Sequence, residues 1–201
     1  MAVGADLRFL LALQPGQTAV VLETAPALAA AVEAEGLAVA RVAGTPWPLP
    51  ADSVDHVFLP LARAEPGPLL AEAARVLRAN GWLLLGATNR HSLYRRPAGA
   101  SKTADRDTVL APGTARSRLQ QLGFKAVTIY GVRETLDDPR WLVPLARPEP
   151  TCFYFEHRFT PYTAGGHLLG NLALWLARLG MHHWLFRDLV YVGRRREETP
   201  S

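Results

Sequence analysis

Short apolar runs alternate along this chain with longer stretches in which apolar positions recur every three or four residues. The short runs are rich in β-branched and aliphatic residues, as is typical of buried strands. They predict strands at residues 18–23, 37–42, 54–59, 82–86, 125–132 and 185–192. The longer stretches predict helices at residues 5–13, 26–35, 68–77, 114–122 and 168–179. This alternation indicates an α/β fold, with a mostly parallel sheet and helices on both faces.

Glycine and proline indicate where these elements begin and end. Thr24 is expected to cap the helix that starts at residue 26. Gly36 and Gly123 are expected to end helices in the left-handed conformation. Residues 44–52 hold three prolines and predict a loop. Residues 136–163 are rich in proline and aromatic residues without a clear period, so no regular element is predicted there.

Composition and charge narrow the class of protein. The 201 residues fit a single domain, 1–201. The formal net charge is +4, and no basic stripe with stacking aromatics is present, so nucleic acid is not an expected partner. The single cysteine, Cys152, excludes a disulfide within the chain and a cysteine-paired metal site. The apolar run at residues 9–13 is too short for a signal peptide, so the expected compartment is the cytoplasm.

Residues 48–93 carry the most specific pattern of the chain. The positions that matter are Leu49, Pro50, Ser53, Val54 and Asp55, followed by Arg75, Val76, Leu77, Arg78, Ala79, Asn80 and Gly81. This stretch resembles the centre of class I S-adenosylmethionine-dependent methyltransferases of the small-molecule, type 11-like branch. Residues 119–127 and 185–194 are similar to the last two strands of that family. The resemblance implies a Rossmann-like sheet and S-adenosylmethionine as the cofactor.

The chain departs from that family where the cofactor would bind. The family has a glycine-rich loop, D-x-G-x-G-x-G, after its first strand, and bare backbone there approaches the ligand. Here no glycine lies between Gly16 and Gly36. Residues 18–23 are either the first strand, with residues 24–26 in place of the glycines, or the second strand, with Glu23 in place of the acidic residue that binds the ribose. Either alignment shortens the N-terminal half of the sheet and predicts weak S-adenosylmethionine binding.

The resemblance also implies which residues would line a site at the carboxyl ends of the strands. On the cofactor side they are Glu23, Thr24, Ala25, Gly44, Thr45, Leu59 and Pro60. On the side of a substrate or partner they are Asn89, Arg90 and His91. Three aromatic residues of the insertion at residues 134–184 are further candidates for contact with a substrate or partner: Trp141, Tyr162 and Trp175. No catalytic residue is assigned, because the sulfonium already activates the methyl group and methyl transfer then needs mainly positioning. His182 and His183 lack a third ligand, so no metal is expected.

Residues 134–184 form a helical and aromatic insertion before the last strand. Apolar positions at 168–179 spread most of the way around a helix. Two interpretations remain open: a lid helix buried on the sheet, or an exposed apolar surface for a protein partner, a second copy or peripheral membrane contact. Charged and polar residues within 168–186 argue against a membrane-spanning helix.

Two functions follow from these observations. The first is a methyltransferase-like protein with lost or impaired cofactor binding, which acts as a non-catalytic binding or assembly subunit through residues 134–186. Its complex could be associated with a membrane. The alternative is an active S-adenosylmethionine-dependent methyltransferase on a small or lipid-like acceptor, with Glu23 as the ribose ligand and the insertion covering the acceptor.

Overall fold

The computed structural model describes residues 7–60, 66–89, 91–93, 109–134, 139–159 and 164–197. Strands and helices alternate through most of this part of the chain, as predicted. Two candidate site residues, Arg90 and Tyr162, lie outside the described residues.

Eight strands form one mixed sheet in the described part of the chain. They are β1 (Thr18–Leu22), β2 (Ala38–Val42), β3 (Val54–Leu59), β4 (Leu77–Asn89), β5 (Val109–Leu110), β6 (Phe124–Glu134), β7 (Pro139–Pro144) and β8 (Asp188–Arg195). Their order is β2-β1-β3-β4-β8-β6-β7, and β5 pairs with the end of β4. β1 to β4 are parallel, whereas β8 runs antiparallel to both β4 and β6. The predicted fold class is confirmed.

Helices cover both faces of the sheet. They are a first 3-10 helix (Leu7–Leu10), α1 (Pro26–Ala34), α2 (Pro66–Val76), α3 (Pro112–Gln121), α4 (Glu149–Phe159), α5 (Ala164–Arg178) and a second 3-10 helix (His182–Leu185). The first 3-10 helix and α1 share an apolar cluster with one face, while α2 to α5 share a cluster with the other. Neighbouring residues of a strand belong to opposite clusters, because their side chains point to opposite faces of the sheet. Val57 packs in the cluster with α2 to α5, and Phe58 packs in the cluster with α1.

β1 lies where the chain reverses its direction across the sheet. It pairs in parallel with β2 on one side and with β3 on the other. Open α/β sheets bind ligands at such a switch point, beyond the carboxyl ends of the strands. This position favours the alignment in which residues 18–23 are the first strand, because the first strand of a doubly wound sheet stands beside the reversal.

The connection from β2 to β3, residues 43–53, is a loop, and it makes the N-terminal half short. Trp47 is buried in the core cluster next to α2 and covers the sheet where a crossover helix would otherwise lie. The Trp47 N–H donates to Glu72 Oε2 at 3.0 Å. Arg75 pairs with Glu72 at 2.7 Å and also donates to the carbonyl oxygens of Trp47 and Leu49, at 3.1 and 2.8 Å. The loop is therefore fixed to α2 by charge-assisted hydrogen bonds.

The predicted cap at Thr24 is wrong, whereas the two glycine helix ends are right. The N-cap of α1 is Ala25, and no side chain caps this helix. Pro26 follows, and its fixed φ favours the first helical turn without a hydroxyl cap. Gly36 and Gly123 have φ values of +83° and +85° just after α1 and α3, as expected at these positions.

Asn80 and Gly81 lie inside a strand. The predicted helix at residues 68–77 implied that they would instead end a helix. α2 ends at Val76, and the register of β4 against β3 shifts before Trp82. Asn80 has a φ of +65°. A Cβ on Gly81 would lie 2.9 Å from the carbonyl oxygen of Arg78. The sequence pattern correctly indicates an unusual backbone, but it belongs to a bulge that follows the helix directly.

The region 136–163, where no regular element was predicted, contains β7 and α4. β7 extends the sheet from β6, and it begins and ends with proline. α4 begins with Glu149 and a proline and is rich in aromatic residues, which mask its period. Its buried residues, Thr151, Tyr154 and Phe155, nevertheless have helical spacing. The insertion is therefore more regular than its composition suggests.

Candidate functional site

The carboxyl ends of β1 and β2 form the corner where the resemblance places the cofactor. Glu23 is exposed, and its N–H donates to the Val42 carbonyl oxygen at 3.0 Å. Thr24 is exposed as well, and Ala25 is half-buried. The Ala25 N–H donates to the Leu22 carbonyl oxygen at 2.9 Å. Two backbone N–H groups of this turn are therefore engaged within the chain, one with β2 and one with β1.

The N-terminus of α1 opens on the same corner. Pro26 has no N–H to offer, and no side chain caps the helix. The Ala29 N–H returns to the Ala25 carbonyl oxygen at 3.0 Å. The N–H groups of Ala27 and Leu28 make no backbone hydrogen bond with the described residues, and they point out of the first turn.

Residues that follow β2 and β3 complete this edge of the sheet. Gly44 and Thr45 are exposed, and Gly44 has a φ of +63°. The Trp47 indole donates to the Gly44 carbonyl oxygen at 2.7 Å, which fixes this turn. Leu59, named as a cofactor residue, is fully buried in the core cluster, because β3 is covered on both faces up to its end. Pro60 is half-buried next to it.

Asp55 lies at the opposite end of the sheet and has a structural role. Its Oδ2 accepts hydrogen bonds from the N–H and the hydroxyl of Thr18, both at 2.8 Å. Arg78 donates to Oδ1 at 3.1 Å. Burial raises the pKa of Asp55, but the hydrogen bonds from Thr18 and the charge of Arg78 outweigh it, so the pKa lies below its ordinary value. This carboxylate links β1 to β3.

Asn89 ends β4, and its side-chain amide is engaged within the chain. Its Nδ2 donates to the carbonyl oxygens of His183 and Phe186, at 2.7 and 2.9 Å. Its Oδ1 accepts from the His91 N–H at 3.0 Å. Asn89 is buried. It therefore holds the second 3-10 helix against the end of β4, and its amide has little capacity left for a ligand.

Three imidazoles and an indole surround this link. The ring centroid of His183 lies 6.5 Å from that of His91 and 6.2 Å from those of His182 and Trp184. Burial lowers the pKa of His183, and repulsion from His182 and His91 lowers it further. His91 itself is exposed at the carboxyl edge of the sheet. Within the described ranges, no three histidine, cysteine or carboxylate side chains meet as a metal-binding group.

α5 turns its bulky apolar side chains toward solvent. Leu168, Leu172, Trp175 and Leu179, which we call the α5 stripe, are 75%, 49%, 57% and 53% exposed. Their spacing of four, three and four residues places them on one side of the helix and the turn after it. The buried side carries Ala173, Leu176 and Ala177. Trp175, a predicted partner residue, thus lies on the exposed side of a helix whose other side is buried.

Trp141, the other predicted partner tryptophan, lines a pocket between β7 and α4. The pocket has a volume of about 480 Å³ and a largely apolar lining. Trp141 meets Tyr154 edge to face, with 5.7 Å between ring centroids. Phe153 and Glu149 of α4 line the same pocket. No helix was predicted here, so sequence reasoning missed these α4 residues, although aromatic enrichment was the available signal.

The predicted residues therefore fall into separate places. Glu23, Thr24, Ala25, Gly44, Thr45, Pro60, Asn89 and His91 follow parallel strands at one edge of the sheet. Trp141 and Trp175 belong to the insertion. The residues predicted for a cofactor and the tryptophans predicted for a partner thus occupy different parts of the chain.

Comparison with solved structures defines the fold. The chain matches an S-adenosylmethionine-dependent methyltransferase from Archaeoglobus fulgidus with a TM-score of 0.56 and 13% identity, over 94% of this chain and 90% of that one. A second such enzyme, from Thermotoga maritima, matches with a TM-score of 0.54 and 13% identity, over 92% and 84%. A protein assigned as a methyltransferase from Haloferax volcanii, solved with a methyltransferase activator, matches with a TM-score of 0.54 and 19% identity, over 93% and 86%.

No family model and no curated protein matches the sequence. The structural matches establish that the chain has the class I methyltransferase fold, as the sequence resemblance implied. None of the described helices is both long and apolar enough to cross a membrane.

Proposed function

We propose that this chain is a methyltransferase-fold protein that no longer holds S-adenosylmethionine tightly and acts as a non-catalytic binding subunit for a protein partner. The observation that carries the proposal is the α5 stripe, a row of large apolar side chains facing solvent. The backbone at the cofactor corner supports the non-catalytic part of the proposal.

The cofactor corner offers few backbone donors to the ligand. Thr24, Ala25 and Pro26 stand where the resemblance would place bare glycine backbone. The N–H groups of Glu23 and Ala25 already bond within the chain, and proline has none. A methionine carboxylate would thus lose backbone partners, and Cβ atoms would keep it further from those that remain.

The α5 stripe has the properties of an interaction surface. Its members are each about half exposed or more, and they share one side of the helix. Contiguous exposed apolar patches of this kind mark sites of association. The inward side of α5 is already packed through Ala173 and Ala177, so the helix cannot bury the stripe against its own domain by rotating.

The charges near the stripe favour a particular kind of partner. α5 carries His167 and Arg178 and no acidic residue. A partner helix with an apolar seam bordered by acidic residues would complement this face. The α5 of a second copy would offer this face no acidic residue. An anionic membrane is less well matched, because surface helices that bind membranes usually carry many basic residues. The Haloferax neighbour, solved with an activator protein, shows that a protein of this fold can have a protein partner.

Calorimetry tests the non-catalytic part of the proposal. The purified chain is titrated with S-adenosylmethionine and with S-adenosylhomocysteine. We expect no affinity tighter than millimolar, because the N–H groups of Glu23 and Ala25 are engaged within the chain and Pro26 has none. Micromolar affinity of the isolated chain for either compound would refute this part.

A charge-insertion pair tests the partner surface. Trp175→Asp disrupts the α5 stripe, and Phe9→Asp makes the same change at a residue 80% exposed in the first 3-10 helix. Candidates captured from an extract of the producing cells are identified and purified, and their affinities are then measured. We expect Trp175→Asp to weaken binding by about thirtyfold or more, and Phe9→Asp to leave it unchanged.

The same variants distinguish other outcomes. Added salt should weaken the complex if acidic residues flank the partner helix. A concentration-dependent dimer that Trp175→Asp dissociates would identify a second copy as the occupant and overturn the heterologous partner. Purified partners that bind both variants equally would remove the stripe from the interface.

One observation favours the alternative, an active S-adenosylmethionine-dependent methyltransferase. The free N–H groups of Ala27 and Leu28 and the exposed carboxylate of Glu23 lie at the same corner of the switch point. A helix N-terminus attracts a carboxylate, and Glu23 could accept hydrogen bonds from ribose hydroxyls. Glu23→Ala should then lower cofactor affinity at least tenfold. If cofactor binding and activity exist but survive Glu23→Ala unchanged, this assignment of Glu23 fails.

A further inference from the structure

The pocket between β7 and α4 has walls that suit a positively charged ligand. Trp141 and Phe153 line it and are 55% and 64% exposed, so their rings are accessible from solvent. Tyr154 supports the Trp141 ring edge to face. Aromatic faces carry negative partial charge and attract cations, most strongly in the case of tryptophan. The pocket volume of about 480 Å³ is sufficient for a small organic molecule or a long side chain.

Among the residues that the structure describes, one carboxylate at the pocket has no ion-pair partner. Glu149, the first residue of α4, lines the pocket and is exposed. It makes no hydrogen bond or ion pair with any described residue. The other polar lining residue, His157, stacks on Phe153 at 4.0 Å and donates from Nδ1 to the Phe153 carbonyl oxygen at 2.8 Å. The pocket thus combines aromatic walls with one available negative charge.

A cation is already held by one of these rings. The Arg133 guanidinium lies 5.8 Å from the Tyr154 ring centroid and donates to the Tyr154 hydroxyl at 3.2 Å. Tyr154 is largely buried, so a ligand would depend on the two exposed rings, Trp141 and Phe153. The unpaired Glu149 carboxylate would offset the positive charge that Arg133 contributes nearby.

We propose that this pocket binds an organic cation, an ammonium group that carries methyl or other apolar substituents. The apolar substituents would contact the Trp141 and Phe153 rings, and Glu149 would supply the opposite charge. The ammonium could belong to a free small molecule or to an alkylated lysine side chain of a protein. This inference does not depend on the function proposed above, because the pocket involves neither the α5 stripe nor the cofactor corner.

A neutral isostere separates cation recognition from simple apolar binding. Choline and 3,3-dimethylbutan-1-ol have nearly the same shape, but only choline is charged. The indole N–H signal of Trp141 is followed by NMR during titration with each compound. We expect saturable choline binding that is roughly fivefold tighter than binding of the alcohol. Equal affinities, or no saturable binding of choline, would overturn the proposal.

Variants then assign the attraction to particular residues. Glu149→Gln should reduce choline affinity toward that of the alcohol and leave alcohol binding unchanged. Phe153→Ala and Trp141→Ala should abolish choline binding, which is measured through the methyl signals of choline. Trp175→Ala removes an equally exposed tryptophan of α5 and should leave choline binding unchanged. Trp141→Phe keeps an aromatic ring at this position. If this variant still binds choline in part, the loss of choline binding in Trp141→Ala is due to the missing ring and not to a folding defect. Unchanged choline affinity in Glu149→Gln would contradict the proposed charge recognition.

Peptides distinguish the two sources of the cation. A peptide with trimethyllysine is compared with its unmodified lysine form and with choline. Tighter binding of the trimethylated peptide than of choline indicates a protein side chain, and tighter binding of choline indicates a free molecule. Preference for the unmodified peptide would overturn the proposal, because apolar substituents would then play no part.

Discussion

Gly131 in β6 lies directly against the ring of Phe186. A Cβ built on Gly131 would come within 2.3 Å of Phe186 Cγ, and the ring is fully buried. Phe186 in turn meets Phe155 of α4, with 6.2 Å between centroids. A glycine here therefore allows the sheet, α4 and the lead-in to β8 to pack together.

Adding one methyl group at this position should destabilise the fold. Gly131→Ala would displace a buried ring that has no free space, at a cost of about 1–3 kcal/mol. The free energy of unfolding in urea, followed by circular dichroism, measures this. Gly113→Ala in α3 is the matched control, because beyond the neighbouring residues of its own helix no described atom lies within 4 Å of the added Cβ. The control should be neutral or stabilising by up to about 1 kcal/mol, and equal midpoints for both variants would contradict the contact.

Asn89 should prove structural when it is replaced. Asn89→Ala leaves the carbonyl oxygens of His183 and Phe186 without their donor and should cost about 2–3 kcal/mol. Asn89→Asp should cost more at neutral pH, because a carboxylate would then face two carbonyl oxygens. The exposed Asn171→Asp in α5 controls for the added charge. Urea unfolding measures all three, and an Asn89→Asp protein as stable as the control would refute the hydrogen-bonded link.

The Asp55 carboxylate should contribute stability that depends on pH. Its folded-state pKa lies below the ordinary value of 3.8, so its contribution is complete above that value and is lost as the pH falls through the folded-state pKa. Asp55→Asn should therefore cost about 1–2 kcal/mol at neutral pH, and the difference from wild type should shrink below about pH 4. Unfolding free energies from pH 7 downward measure this. Glu156→Gln removes one exposed charge as a control, and a constant Asp55→Asn difference across the range would exclude the linkage.

His183 should titrate below its ordinary value of 6.5. A lowered folded-state pKa means that stability is complete above 6.5 and declines as the pH falls through the folded-state value. His91→Gln removes one source of repulsion, so the pKa of His183 should rise toward 6.5 without reaching it, because burial remains. NMR titration of the imidazole signals provides the measurement. His157→Gln, on α4, should leave the His183 pKa unchanged, and equal effects of the two variants would disprove direct repulsion.

Local sequence patterns predicted much of the framework. Apolar runs identified the strands at 18–23 and 54–59, because a strand buried in a parallel sheet is continuously apolar and short. The strand at 37–42 was also predicted, although β2 is an edge strand in which only Val42 is buried. Gly36 and Gly123 predicted helix ends, because left-handed backbone favours glycine.

The errors arose where tertiary contacts determine local structure. Asn80 and Gly81 signal left-handed backbone equally well in a helix end and in a bulge, and only pairing with β3 decides between them. The role of Trp47 as a substitute for a crossover helix depends on Glu72 and Arg75, which are distant in sequence. The sequence correctly put Glu23 and Thr24 at the end of a strand. It could not indicate that the Asn89 amide is occupied by carbonyl oxygens nearly a hundred residues away.

The short N-terminal half leaves β2 as the outermost strand of the described sheet on that side, and β7 ends the other side. Exposed edges of this kind can recruit strands from other molecules and begin aggregation. β2 has only five residues and carries Arg41, paired with Glu33 at 2.9 Å, whereas β7 has proline at both ends. Short length, charge and proline all hinder intermolecular strand pairing. Because the connection after β2 is a loop and not a helix, β2 is left at the edge of the sheet. The side chains of this five-residue strand then provide part of the protection against self-aggregation.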